Sequence, residues 1–184
     1  KQSHEDGSIS DQEIRWLNRR AKGGFGIVTT AAANVSKDGQ GWEGEIGLYH
    51  NRHIENLIKL VDSVHDHGSL IFAQLFHGGM KAPESLTGEK PLSASSIPCK
   101  ESSSGVTRAA SLDDIKRIIQ DFTLAAERCV KSGFDGIELH GAHGYLISQF
   151  LGEKTNLRQD DWGGDLKGRS NFLIEIYRAI KKSV

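Results

Sequence analysis

The segment HGAHGY, His140 to Tyr145, sets two imidazoles and a phenol within six residues, straight after the apolar run GFDGIEL. These are groups that donate hydrogen bonds to an oxygen on which negative charge develops. Tyr145, with an unperturbed pKa of about 10, is protonated at neutral pH and is suited to act as a general acid. Strand alternation puts Phe134, Gly136, Glu138 and His140 on one face and Asp135, Ile137 and Leu139 on the other. With Ile137 and Leu139 against helices, His140 points at an open strand end. Gly141 and Ala142 leave room there for a planar ligand, and His143 and Tyr145 reach the same space from the following turn.

Two other readings stand beside this one. Each ring taken singly is explained by packing, as a satisfied core histidine or a buried phenol. Neutral imidazoles also bind zinc, and His77 supplies a third candidate ligand. The spacing is not HExxH, and no aspartate or cysteine joins the trio nearby. The pairs His50 with His53 and His65 with His67 fall in or beside an amphipathic helix, where they read as exposed histidines.

The elements that must hold these residues follow from periodicity. Ser10 stands three residues before Glu13, a capping-box spacing, and Gly23 offers a left-handed helix end, so SISDQEIRWLNRRAKGG reads as a helix. FGIVTTAA, Phe25 to Ala32, is β-branched and bounded by glycines, which suits a buried strand. Ile54, Leu57, Ile58, Val61 and Val64 recur at helical spacing between Tyr49 and His67, and SLIFAQLF, Ser69 to Phe76, is the next strand. Residues 78 to 110 are rich in Gly, Ser, Lys and Pro without a period, which predicts a long connection of functional type. Ser111 and Asp114 open a helix whose apolar stripe runs from Ile115 through Phe122 to Val130. The strand Phe134 to His140 follows, and Phe172, Leu173, Ile176, Tyr177 and Ile180 mark the last helix.

Strand, loop and helix thus repeat three times, the pattern of parallel βα units, and the class is α/β. No GxGxxG or P-loop follows the first strand, which disfavours a doubly wound sheet and favours part of a TIM (β/α)8 barrel. A closed barrel takes about 250 residues. The 184 residues therefore read as a single partial barrel domain, 1–184, and a segment of a longer chain.

A formal net charge of −1 gives no reason to expect nucleic acid or an anionic membrane as partner, and small molecules are favoured. Cys99 and Cys129 form no CxxC pair, so two reduced thiols in a cytoplasmic protein are expected. No 18-residue apolar run or signal-peptide pattern is present.

Five segments carry a family likeness: RAKGGFGIVTTAA, FAQLFHGGMKA, PLSASSIP, GFDGIELHGAHGYLISQFL and TNLRQDDWGGDLKGRSNFL. They resemble, in order and across essentially the whole chain, the Old Yellow Enzyme family of FMN-dependent NADH:flavin oxidoreductases and ene reductases. The resemblance implies a (β/α)8 barrel with FMN across the carboxyl ends of its strands. It also implies NADH or NADPH as reductant and an enone or quinone as small-molecule substrate, and it is compatible with a homo-oligomer. By the same resemblance, His140 and His143 hold the substrate's carbonyl oxygen and Tyr145 protonates the α-carbon. Ala32, Gln74 and His140 then line the flavin, Gln74 at the edge of its pyrimidine ring. Three positions depart from the family pattern: Met80 in place of the arginine of HxGR, Trp162 in place of a tyrosine, and Gly168 in place of an asparagine. The first barrel strand, the fifth-strand arginine and the phosphate-binding turns have no counterpart in these residues. A barrel fragment that binds no flavin and a metal-dependent barrel hydrolase are the alternative functions.

Overall fold

In the computed structural model, which describes residues 3–184, Ser10 caps α1 (Asp11–Lys22) and accepts the Glu13 N–H at 3.2 Å. The reciprocal half of the expected box is absent, because the Glu13 carboxylate instead accepts the Ser3 hydroxyl at 2.6 Å. The left-handed residue that turns the chain is Gly24, at φ +96°, and not Gly23, which remains right-handed at φ −76°. The chain then enters β1 (Ile27–Asn34), passes a short β2 (Ile46–Gly47), and forms α2 (Ile54–His65) and β3 (Leu70–Phe76). α4 (Leu112–Lys131) carries the full Ser111–Asp114 capping box, and β6 (Gly136–Leu139), α5 (Leu146–Leu151) and α6 (Leu166–Ser183) complete the order.

The strands make one parallel sheet in the order β2-β1-β3-β6. Alternation along β3 divides its faces. Ile71, Ala73 and Leu75 are fully buried against the helices, while Leu70, Phe72 and Gln74 look out from the other face. The buried face continues into Leu57, Val61 and Val64 of α2, Ile115, Ile118 and Phe122 of α4, and Phe172 and Ile176 of α6. Removing these apolar side chains from water is the main stabilising term, about 25 cal/mol per Å². The apolar stripes read from the sequence meet this core, except that Ile58, Val130 and Tyr177 lie exposed on its margin.

Two local features shape the strand ends. The register between β1 and β3 shifts between Thr29 and Ala32, so that Ala32 pairs with Gln74 across a bulge. The extra residue, Thr30, turns its hydroxyl inward to accept the Gln74 N–H at 3.1 Å, which repairs the interrupted ladder. The long connection 78–110 has more structure than its composition suggests. It contains α3 (Glu84–Thr87) and a parallel ribbon of β4 (Leu92–Ser93) and β5 (Arg108–Ala109). Arg158 anchors it from a distant loop, donating to Ala94 O and Ala110 O while pairing with Asp160. That tertiary anchor leaves no periodicity for a sequence reading to find.

Among the described residues β6 pairs on one side only, with β3. Beside its other edge lies an apolar groove of about 400 Å³ lined by Phe134, Ile137, Leu139, Tyr177 and Ile180. Among the described residues no helix is long and apolar enough to cross a membrane.

Candidate active site

His140 is the first residue beyond β6, yet its backbone N–H still bonds Leu75 O at 2.9 Å, so the ring is fixed by the sheet ladder. Its Nδ1 accepts the Ala142 N–H at 3.3 Å. In neutral imidazole the other nitrogen then carries the proton, which makes Nε2 the donor. Burial, reinforced by His143, lowers the pKa of His140 from the ordinary 6.5, with Glu138 acting in the opposite direction. The neutral form is thereby favoured at pH 7.

His143 reaches this nitrogen because the chain makes a double left-handed step, φ +55° at His143 and +69° at Gly144. The step brings His143 Nδ1 to 3.2 Å from His140 Nε2. Tyr145 follows at the start of α5, its ring edge-on to His140 with centroids 4.9 Å apart. Phe76, fully buried at the end of β3, packs edge-on against Tyr145 at 4.9 Å and stacks on Trp42 at 5.4 Å. Burial and the nearby Glu45 carboxylate push the Tyr145 pKa up, so the phenol keeps its proton. The result is a wall with two imidazole nitrogens and one acidic hydroxyl on a rigid aromatic backing.

Next to this wall, the exposed face of the sheet carries Gln74, whose Nε2 donates to Glu138 Oε1 at 2.8 Å. Below it Phe72 lies over Gly136, where a Cβ would come within 2.7 Å of the ring. Ala32 is nearly buried on β1, directly across from Gln74.

The structure brings His140, His143 and Tyr145 together and sets Gln74 and Ala32 on adjoining strands. It separates His77, the third candidate metal ligand. That ring turns inward, 2% exposed, with Nε2 3.6 Å from Asp38 and Nδ1 accepting the Gly79 N–H. Among the described residues no group of three ligand-type side chains is arranged for a metal. His53 also departs from expectation. It is buried rather than exposed, bonded to Asp6 O at 3.1 Å, and its pKa is lowered chiefly by burial. His65 pairs with Asp135 at 2.8 Å. Of the three departures from the family pattern, Gly168 has a clear cause: a Cβ there would fall 2.0 Å from Gly163 O. Sequence reasoning missed Trp42, Phe76, Lys81 and Gln149, although a glutamine within the mostly apolar run LISQFL is a signal for the last.

The whole chain, residues 1–184, matches the model of the NADH:flavin oxidoreductase / NADH oxidase family. The chain belongs to this family. Among NADH:flavin oxidoreductases it is 35% identical over 181 residues to the probable NADH-dependent flavin oxidoreductase YqiG of Bacillus subtilis (strain 168), covering 98% of this chain and 48% of that one. It is 38% identical over 185 residues to 12-oxophytodienoate reductase 2 of Arabidopsis thaliana, covering 93% of this chain and 48% of that one. The solved old yellow enzyme homologue from Zymomonas mobilis superposes with a TM-score of 0.92 at 30% identity, over 99% of this chain and 53% of its own. The chain thus spans about half the length of the relatives it matches, and its parallel βα units correspond to part of their barrel. The family is one of FMN-binding oxidoreductases with NADH- or NADPH-dependent members.

Proposed function

We propose that the chain supplies the substrate-facing part of an FMN-dependent, NAD(P)H-consuming reductase of activated alkenes such as enones, in a cytoplasmic protein. FMN, held beside Ala32, Gln74 and His140, would supply the hydride chemistry that links the nicotinamide to the alkene. Everything else follows from side chains of this chain. His140 and His143 bind the substrate's carbonyl oxygen, because the two nitrogens that now meet at 3.2 Å are the ones an incoming oxygen would separate and occupy. His140 Nε2–H, and His143 with its proton moved to Nδ1, then stabilise the charge that the oxygen gains as the alkene accepts hydride. Tyr145, kept protonated, delivers the proton to the α-carbon.

The residues present suit the cofactor. Ala32 leaves space beside a planar ring, and Gln74, with Nε2 engaged by Glu138, offers Oε1 to a ring N–H. His140 borders both the ring and the substrate. The observation that carries the reading is the convergence of His140, His143 and Tyr145 on one strand end, with centroid separations from 4.9 to 6.3 Å. The rival metal hydrolase loses support because His77 faces away from the trio.

The test is to purify the whole protein, record its flavin absorbance, and follow NADH and NADPH oxidation with 2-cyclohexenone and a benzoquinone. Saturation of the enone double bond is expected. A colourless protein without that activity would refute the proposal and leave the non-catalytic fragment. We propose further that residues 1–184 form one partial barrel domain of a longer protein, which the length of the parent reading frame decides.

A further inference from the structure

Gln149 stands outside the trio, 1% exposed in the mostly apolar α5, whose other polar residue, Ser148, donates to Gly141 O. Its amide oxygen accepts the Met80 N–H at 3.1 Å, and its amide nitrogen donates to Gly144 O at 2.7 Å and to Gly78 O at 3.3 Å. One buried side chain therefore joins the loop after β3 to the turn that carries His143. The fit demands glycine at position 79. That residue sits at φ +60°, and a Cβ there would lie 2.5 Å from Gln149 Oε1. From the solvent side Lys81 grips the same turn, donating to His143 O at 2.6 Å with its ammonium 5.6 Å from the Tyr145 ring centroid. Between these tethers His143 is the one non-glycine residue with positive φ among those described. Such a backbone persists only where its surroundings impose it.

We infer that Gln149, braced by Lys81, is a positioning residue that holds His143 and Gly144 in the left-handed form and so directs the two imidazoles at a single oxygen. The inference rests on the oxygen-binding reading above. Both amide hydrogens of Gln149 are spent on carbonyls, so the isosteric Gln149→Glu removes two donors and opposes a carboxylate to two carbonyl oxygens. The turn is then released while the volume stays filled. Lys81→Met removes the outer tether at an exposed site where folding is not at stake.

In the whole protein purified with its flavin, the binding of 4-chlorophenol is measured by calorimetry and the retained FMN by absorbance. Gln149→Glu is expected to raise the phenol Kd about tenfold, the worth of one misplaced hydrogen bond to a charged oxygen, and Lys81→Met about threefold. FMN content should not change, because neither side chain is hydrogen-bonded to Ala32, Gln74 or His140. Wild-type phenol affinity in both variants would overturn the positioning role, as would parallel loss of phenol and FMN, which marks general support of the fold. If Gln149→Glu does not fold, the Lys81→Met affinity decides alone. A wild-type protein that binds no phenol would instead remove the oxygen-binding reading, and this inference with it.

Discussion

His77 and His140 end neighbouring parallel strands, and each accepts through Nδ1 the backbone N–H two residues ahead, from Gly79 at 3.1 Å and from Ala142 at 3.3 Å. Locally they are the same motif, a histidine followed by a glycine at a strand end. Their Nε2–H groups nevertheless meet different worlds. His77 faces Asp38 inside the protein, where a Cβ on Gly39 would strike its ring at 2.7 Å. Burial raises the Asp38 pKa, but His77 and Arg117 beside it pull the carboxylate far below its usual range. His140 meets another imidazole and a phenol at the open strand end. One ring is enclosed beside a carboxylate, and the other lies among the rings of the proposed site. The lesson is that a backbone hydrogen bond selects the tautomer, while the group opposite Nε2 selects the role.

The largest effect should come from the phenol on the His140 side. In the whole flavoprotein Tyr145→Phe should slow reoxidation by an enone about 10² to 10⁴-fold, the range for a positioned acid, and leave flavin reduction by NAD(P)H nearly intact. Quinones take their proton on oxygen from water and should be affected far less. Stopped-flow traces of the two half-reactions check this, and wild-type reoxidation with an enone would return Tyr145 to a packing role.

Next, His140→Ala combined with His143→Ala should weaken phenolate binding by about 1.5 to 3 kcal/mol, the cost of lost hydrogen bonds to a charged group. Titration calorimetry measures it. Unchanged affinity would erase the contrast between the two strand ends.

The reverse arm uses His77. His77→Ala leaves the Gly79 N–H and the Asp38 carboxylate short of a partner, and should cost about 1 to 3 kcal/mol of stability in chemical denaturation. Phenol affinity should stay close to wild type, because Gln149 still grips the loop through Met80 and Gly78. A large loss of affinity with unchanged stability would show that His77 belongs to the site after all.

The smallest effect is in pH. The folded-state pKa values of His140 and His53 lie below the ordinary 6.5, so on acidification the unfolded chain takes up protons before the folded one. Stability is therefore full above about pH 7 and declines as pH falls through 6.5 towards the folded values. Melting temperatures between pH 7.5 and 5 should show that slope, flattened in His140→Gln. A slope of opposite sign would mean the His140 imidazole is held in its charged form.

How much could be read beforehand varied with the range of the interactions. The three βα units, the Ser111–Asp114 cap and the outward aim of His140 were legible because each depends on residues close together in the chain. The ribbon within 78–110 was hidden, since it depends on Arg158 reaching Ala94 and Ala110. The burial of His53 was hidden for the same reason, its partner Asp6 lying 47 residues away.

The sequence by itself determined which side chains stand at the strand ends and which faces are apolar, because the period of two residues in strands and 3.6 in helices is set by local backbone geometry. Only the tertiary structure decided that His77 is shut in against Asp38, how His143 turns back upon His140, and that Gln149 joins that turn to the loop after β3. Those outcomes depend on the atoms that β1, β3, α5 and the loops between them bring within hydrogen-bonding distance. Such distances become definite only when the sheet and its covering helices pack.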